Sequence, residues 1–331
     1  MAIGAVIMAL ILGFGISTKL QSDRIARERD KAEEVAAFLM NLFEVSDPGE
    51  AKGNAITARE ILDRGAENIR EDLKDQPEVQ ATLMHIMGKV YTSLGLYASA
   101  APLLEASLKT RQQTLGGEHA EVAESLNSLA ELLREQGDYE QAEPLYRKAL
   151  AIRLKRFGDE HPDLAANLND LGLLLYEKGD YAAAESLLSK SVAMHRKLPN
   201  KQSKLLAVSL NNLALVMDDK GDYPAAEMLY RESMEMSRKQ LGSNDPLVAS
   251  NMNNLAALLH AKGNYSAAEP LYRETLALRR KLFGEQHPDV ATCMNNLAAL
   301  LYDKNDYAGA ESLYVEALNM RRKLLGEEHP R

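Results

Sequence analysis

Tryptophan is absent from the 331 residues, and cysteine occurs once, at Cys293. A single thiol excludes an internal disulfide framework and any zinc site built on cysteines. Aromatic residues are only 5% of the chain, 13 Tyr and 5 Phe, which argues against an aromatic-rich β-sandwich. Positive charge is scarce: 39 Lys and Arg stand against 48 Asp and Glu, a net charge of −9. Phosphate backbones need cations to neutralise them, so no nucleic-acid partner is expected. Period-2 alternation is missing, so strands are not expected. No nucleotide-binding Gly-rich loop, His-Arg-Asp or Asp-Phe-Gly string occurs, and no Gly-x-Ser-x-Gly frames a serine. Catalytic residues are therefore not expected, nor any cofactor. A hydrophobic content of 46% is enough to build a core and excludes wholesale disorder.

One long uncharged run opens the chain. No charged residue falls within 1–18, and residues 2–16 are apolar or Gly throughout. As a helix, such a run reaches about 27 Å, close to the thickness of a bilayer core. It reads as a transmembrane anchor, the alternative being a buried core helix. Lys19, Arg24, Arg27, Arg29 and Lys31 follow it, which favours a cytoplasmic position for what comes next. A single-pass membrane protein is the expectation.

The rest is periodic. Tyr97, Tyr139, Tyr181, Tyr223, Tyr265 and Tyr307 recur every 42 residues, as do Ala100, Ala142, Ala184, Ala226, Ala268 and Ala310. Fixed-period self-similarity of this length marks a stack of supersecondary units. Each period reads as two helices. Between Pro246 and Gly284, Pro246 suits a first helical turn. Val248, Met252, Leu255, Ala256 and Leu259 then form an i, i+3, i+4 stripe, and Gly263 ends it. Asn264 can cap the second helix, which carries Ala267, Ala268, Leu271, Tyr272 and Leu276. Residues repeated in register are packing elements, so the Tyr97 column and the column of Tyr146, Tyr230, Tyr272 and Tyr314 are both expected in the core. His119, His161, His287 and His329 share one linker position. Adjacent repeats stack about 10 Å apart, so these histidines cannot share a metal, and linker capping is their expected role.

The pattern Leu-Ala … Gly-Asp-Tyr-x-x-Ala-Glu-x-Leu-Tyr … Ala resembles the tetratricopeptide repeat. The Asn-Asn-Leu-Ala runs at 211–214, 253–256 and 295–298 and the Glu-x-His-Pro linker at 285–288 resemble its kinesin-light-chain type. The resemblance implies an all-α, right-handed solenoid of antiparallel helix pairs. Six repeats then occupy 77–331, with the start of a seventh at Glu327–Arg331. Leu198–Lys204 departs from the usual linker. Residues 19–76 form a charged juxtamembrane helix and a degenerate capping pair, broken at Ser46–Gly49. The string from Thr57 to Gly65 also resembles the juncture between a transmembrane helix and these repeats in bacterial serine/threonine protein kinases. That second resemblance implies a bacterial inner membrane and a kinase domain, upstream or in trans.

In this family the first helix of each repeat lines a concave groove. Carried onto this chain, the groove column is Asn127, Asn169, Asn211, Asn253 and Asn295. These asparagines either bind a peptide backbone or tighten contacts between neighbouring first helices. Further along the same face lie Glu131, Arg134, Glu135, Tyr176, Glu177, Asp218, Asp219, His260, Tyr302 and Asp303, with Glu124 earlier on it. Acids dominate this set, so the expected ligand is a basic, extended protein or peptide segment. Lys178, Lys220, Lys262 and Lys304 lie beside the acids and are candidates to neutralise them. Basic pairs close the second helices, among them Arg196-Lys197, Arg238-Lys239 and Arg280-Lys281. They read as complements to helix dipoles and acids, or as a phosphate-binding ridge. The whole reads as a membrane-anchored binding scaffold of a signalling system. The alternatives are the non-catalytic part of a membrane kinase and a structural oligomerisation arm.

Overall fold

The computed structural model describes residues 29, 31–36, 58–198 and 204–325. These are helices joined by short turns, with no strand among the described residues. The chain forms two compact units, 1–152 and 153–331, and each is taken by itself. The first holds a helical stretch at 31–36, then α1 (Ala58–Asp72), α2 (Pro77–Ser93), α3 (Tyr97–Leu115) and α4 (Ala120–Glu135). The boundary falls within α5 (Tyr139–Phe157). The second unit holds α6 (Pro162–Glu177), α7 (Tyr181–Lys197), α8 (Lys204–Asp219) and α9 (Tyr223–Leu241). It continues with α10 (Pro246–Ala261), α11 (Tyr265–Phe283), α12 (Pro288–Asp303) and α13 (Tyr307–Leu325). This is an all-α helical-repeat solenoid whose consecutive helices pair.

Short-range chemistry sets the boundaries. The imidazole Nδ1 of His119, His161 and His287 accepts the backbone N–H two residues ahead at 3.3, 3.2 and 3.1 Å. Asp245 does the same work for α10, accepting from Leu247 at 2.8 Å. Each satisfies one of the four orphan donors at a helix start. Phe157 and Phe283 stack on His161 and His287 and fix the rings, with centroids 4.0 and 4.5 Å apart. The capping role expected of the linker histidines therefore holds at three of them, and His329 lies outside the described residues. Second helices start under Asp180, Asp222 and Asn264, which accept from the N–H three residues on. Each first helix ends in a left-handed residue, Gly179 at φ 84° and Asn305 at φ 66° among them. Asn tolerates that conformation, so the last repeat keeps the turn without glycine.

One register position pairs the two helices of each repeat, and in two repeats it is a close approach. Where the first helix has Gly88 or Gly172, the second presents Leu104 or Leu188. Where it has Ala130, Ala214, Ala256 or Ala298, the second presents Tyr146, Tyr230, Tyr272 or Tyr314. A leucine that branches at Cγ fills the space a Cβ would need, whereas a flat ring leaves room for it. Buried serines tie the pair further: Ser191 and Ser233 donate to the carbonyls of Ala165 and Ala207 at 2.8 and 2.6 Å.

Two expectations need correction. Tyr146, Tyr230 and Tyr272 are core residues, but the other tyrosine column is mixed: Tyr97, Tyr139 and Tyr265 are half-buried, Tyr97 against the core of the first unit, and the remaining three are exposed. Tyr181, Tyr223 and Tyr307 are 36%, 39% and 56% exposed, and Tyr314 at the last position of the core column is 38% exposed. Tyr181, Tyr223 and Tyr307 are the first residues of their second helices, at the rim, where one side of the ring has a neighbour and the other meets solvent. The single-pass membrane placement is also corrected. Among the described residues no helix is long and apolar enough to cross a membrane, because each solvent-facing side carries charge. The run at 1–18 that carried the expectation lies outside the described residues. So do the break at Ser46–Gly49, the interior of the Leu198–Lys204 linker and the segment Glu327–Arg331.

Candidate functional site: the first-helix face

In the second unit the first helices α6, α8, α10 and α12 lie side by side. Their shared face carries two rows of side-chain bonds, each reaching 43 residues ahead. In the first row the Nδ2 of Asn212, Asn254 and Asn296 donates to the Oδ1 of Asn169, Asn211 and Asn253 at 3.0, 3.1 and 3.0 Å. The expected groove asparagines thus use their carbonyl oxygens to hold the next first helix. Asn169 and Asn211 are buried, Asn253 and Asn295 half-buried. The donors of this row, one residue along from each column member, were not singled out from sequence. The repeated Asn-Asn pair was the signal for them.

The second row lies near the C-terminal ends of the first helices. The Tyr176 hydroxyl donates to Asp219 at 2.7 Å, and His260 Nε2 lies 2.7 Å from Asp303. Burial first, then the bond to Asp219, raises the Tyr176 phenol well above its ordinary range, so it stays a donor. Tyr181, Tyr265 and Tyr307 pack their rings against Tyr176, His260 and Tyr302 at 5.7, 5.6 and 5.3 Å. The rim tyrosines therefore edge this face. Tyr302 itself is 58% exposed, and Glu177 is exposed.

The lysines beside these acids point elsewhere. Lys220, Lys262 and Lys304 pair with Glu185, Glu227 and Glu269 on the preceding second helices. Hydrogen bonds from Lys262 and Lys304, ahead of those from Arg231 and Arg273, hold the carboxyls of Glu227 and Glu269 below their usual range. Arginines of the basic pairs also bond between second helices. Arg196 reaches Glu232 and Arg238 reaches Glu274, both at 2.7 Å, and Arg280 reaches Glu316 at 3.3 Å. Both sets of cations are thus used along the second helices, and none of Lys220, Lys262 and Lys304 pairs with Asp218, Asp219 or Asp303.

In the first unit, Glu131 is half-buried and Arg134 pairs with its neighbour Glu135. Glu124 belongs to a cluster that the column reading did not contain. Arg111, 3% exposed on α3, binds Glu124 at 3.1 Å and Glu121 at 3.2 Å, and His85 lies 3.5 Å from Glu124. Lys31 joins from the N-terminal side, donating to both Glu121 oxygens at 3.0 Å. Arg111, Arg153, Arg279 and Arg321 share a 42-residue register, and that was the available signal. Arg153 and Arg279 hold the carbonyls of Asp163 and Asp289 in the first turn of the next first helix. Burial pushes the Glu124 carboxyl up, but His85 and Arg111 together outweigh it and hold it at about 2. A depressed acid adds stability that is present above its unfolded value, 4.5, and lost as pH falls toward 2. Glu124→Gln is accordingly expected to flatten the decline in melting temperature between those two pH values. An unchanged acid limb would remove this cluster from the stability of the first unit.

A family model described as tetratricopeptide repeat matches residues 78–155, 123–197, 163–239, 205–281 and 247–323. Among solved structures, BtubC (BKLC) from P. vanneervenii is 26% identical, with a TM-score of 0.59 over 71% of this chain and 92% of that one. A single-substitution form of a putative kinesin light chain with nearly identical TPR-like repeats from Podosopora anserina is 25% identical. Its TM-score is 0.52, over 62% of this chain and 96% of that one. The apo form of RapI, at 17% identity, shares the fold with a TM-score of 0.60 over 88% and 98%. No curated protein sequence matches the chain. None of these likenesses carries the kinase juncture expected at Thr57–Gly65. Overlapping matches from 78 to 323 follow the same helix pairs that the side-chain rows bind together, and the chain belongs to the tetratricopeptide repeat family.

Proposed function

We propose that this chain is a non-catalytic scaffold that binds an extended, positively charged protein or peptide segment along the first-helix face of residues 153–331. One observation carries the reading. The acids of the second row are not neutralised by the lysines beside them, because Lys220, Lys262 and Lys304 bond to second helices. A face with one sign of charge raises the local concentration of an oppositely charged ligand and speeds its association. The asparagine row contributes rigidity, its amides bonded from one first helix to the next.

On a peptide array probed with the full chain, basic peptides are expected to bind best. Binding should weaken from about 50 to about 500 mM salt, as the screening length shortens severalfold. A preference for acidic peptides, or affinity indifferent to salt, would refute the charge reading. The finer placement in a bacterial signalling system, beside a serine/threonine kinase domain in cis or in trans, rests on the Thr57–Gly65 string alone. Finding a kinase domain encoded on the same or a neighbouring reading frame would support it, and finding neither would remove it.

A further inference from the structure

The second row breaks at one residue. Tyr176 and His260 each reach an acid 43 residues ahead. The residue 43 ahead of Asp218 is Ala261, which offers only a methyl group. The Asp218 carboxylate is half-buried and makes no hydrogen bond or ion pair among the described residues, while its chain neighbour Asp219 is a second carboxylate. Burial, then the charge of Asp219, pushes the Asp218 carboxyl up. Lys220, the next residue, is committed to Glu185.

A second observation points to the same place. The Tyr230 hydroxyl on α9 is fully buried and has no hydrogen-bond partner. A buried, unpaired hydroxyl is costly and calls for a reason. After burial, the group that weighs most on this phenol is Asp218, followed by Tyr176 and Asp219. Tyr230 stands against Ala214 of α8 in the register where Leu188 meets Gly172, and Asp218 lies one helical turn beyond Ala214 on that same face, which puts the carboxylate on the side of the phenol. Tyr176 and Tyr181, rings 5.7 Å apart, flank the place. The groups meeting there are thus two acids, one of them unpaired, and an unpaired phenol oxygen able to accept.

We infer that Asp218, Asp219, Tyr176 and Tyr230 form a binding site for one guanidinium or alkylammonium group, the side chain of an Arg or Lys carried by the ligand. The site rests on the reading of this face as the binding surface and sharpens it. The N–H donors of such a group satisfy Asp218, share Asp219 with Tyr176 and give the Tyr230 oxygen the partner it lacks. Aromatic neighbours add cation–π attraction. A hard divalent ion is a poor match, because it asks for about six oxygen ligands.

The test titrates the full chain, with ring-labelled tyrosine, with methylguanidinium chloride. N-methylurea serves as the neutral isostere and potassium chloride as the salt control. Saturable shifts of the Tyr176 and Tyr230 ring resonances are expected with methylguanidinium alone. Asp218→Asn should weaken that binding by about tenfold or more, the size of one charge-assisted hydrogen bond. It should not unfold the protein. An acid whose folded value is raised costs stability at neutral pH, a cost that is absent below the unfolded value of 3.8, so the variant should melt at the same temperature or higher. Equal shifts with N-methylurea or potassium chloride, or undiminished binding in Asp218→Asn, would overturn the site. Spermidine competing as well as an Arg-bearing peptide would reassign it to free polyamines and overturn the side-chain assignment. Basic array peptides that bind Asp218→Asn as tightly as the parent would also overturn the site, yet leave the scaffold proposal standing. Loss of all array binding with methylguanidinium binding intact would do the reverse.

Discussion

Tyr230→Ala is expected to destabilise the second unit by about 3–5 kcal/mol, the range for large aromatic truncations in cores. Tyr230 is 0% exposed and packs where α9 faces the first helix of its repeat. Tyr223, seven residues earlier, belongs to a column just as regular but is 39% exposed. Tyr223→Ala should cost about 1 kcal/mol, the ordinary size for a half-packed side chain. Tyr230→Phe is the third member of the series. It removes only a hydroxyl that has no partner, so its effect should be close to zero or stabilising. Urea unfolding of the three variants reads the ordering directly. Equal losses at 223 and 230 would show that column regularity, and not burial, sets the cost.

Gly88→Ala is the second large effect expected. A Cβ at residue 88 would lie 2.6 Å from Leu104 Cγ and 2.7 Å from its Cδ2. The Cγ is a branch point and not a mobile tip, so relief requires the whole leucine to move. Overpacking of this kind costs about 1–3 kcal/mol, and the better helix propensity of alanine returns up to about 1 kcal/mol. The clash should win by about 1–2 kcal/mol. Adding Leu104→Tyr recreates the pairing of Ala214 with Tyr230 and should recover most of the loss. The double-mutant cycle therefore carries a coupling energy of the opposite sign to the first mutation. A Gly88→Ala protein that melts higher than its parent would show that propensity dominates and that the Gly–Leu and Ala–Tyr pairings are incidental.

Helix starts and stops were legible because their causes are local. A proline or an Asx residue at a fixed offset, a histidine before the first turn and a left-handed Gly or Asn after the last act within a few residues of themselves. The pairing of helices followed from the period alone. What the period does not contain is direction. It states that Tyr97, Tyr181 and Tyr223 are equivalent, but not that Tyr97 packs on a core while Tyr181 and Tyr223 meet solvent. It places Lys220, Lys262 and Lys304 beside acids of the face, but not on the side where they find Glu185, Glu227 and Glu269. Likewise the asparagine column was visible, whereas its bond to the following repeat depends on how far one first helix is offset against the next. Offsets of 35, 36 and 43 residues are properties of the stack. The gap in the row ahead of Asp218 becomes meaningful only once the 43-residue rule is known from Tyr176 and His260.

Those same offsets bear on synthesis. Among the described residues of 153–331, the side-chain bonds that join one repeat to the next span between 10 and 43 positions of chain. Closing so short a segment costs little chain entropy compared with pairing the distant ends of a domain. A nascent chain therefore meets the partners of each repeat within about one further period of elongation, and successive repeats can dock in the order in which they leave the ribosome.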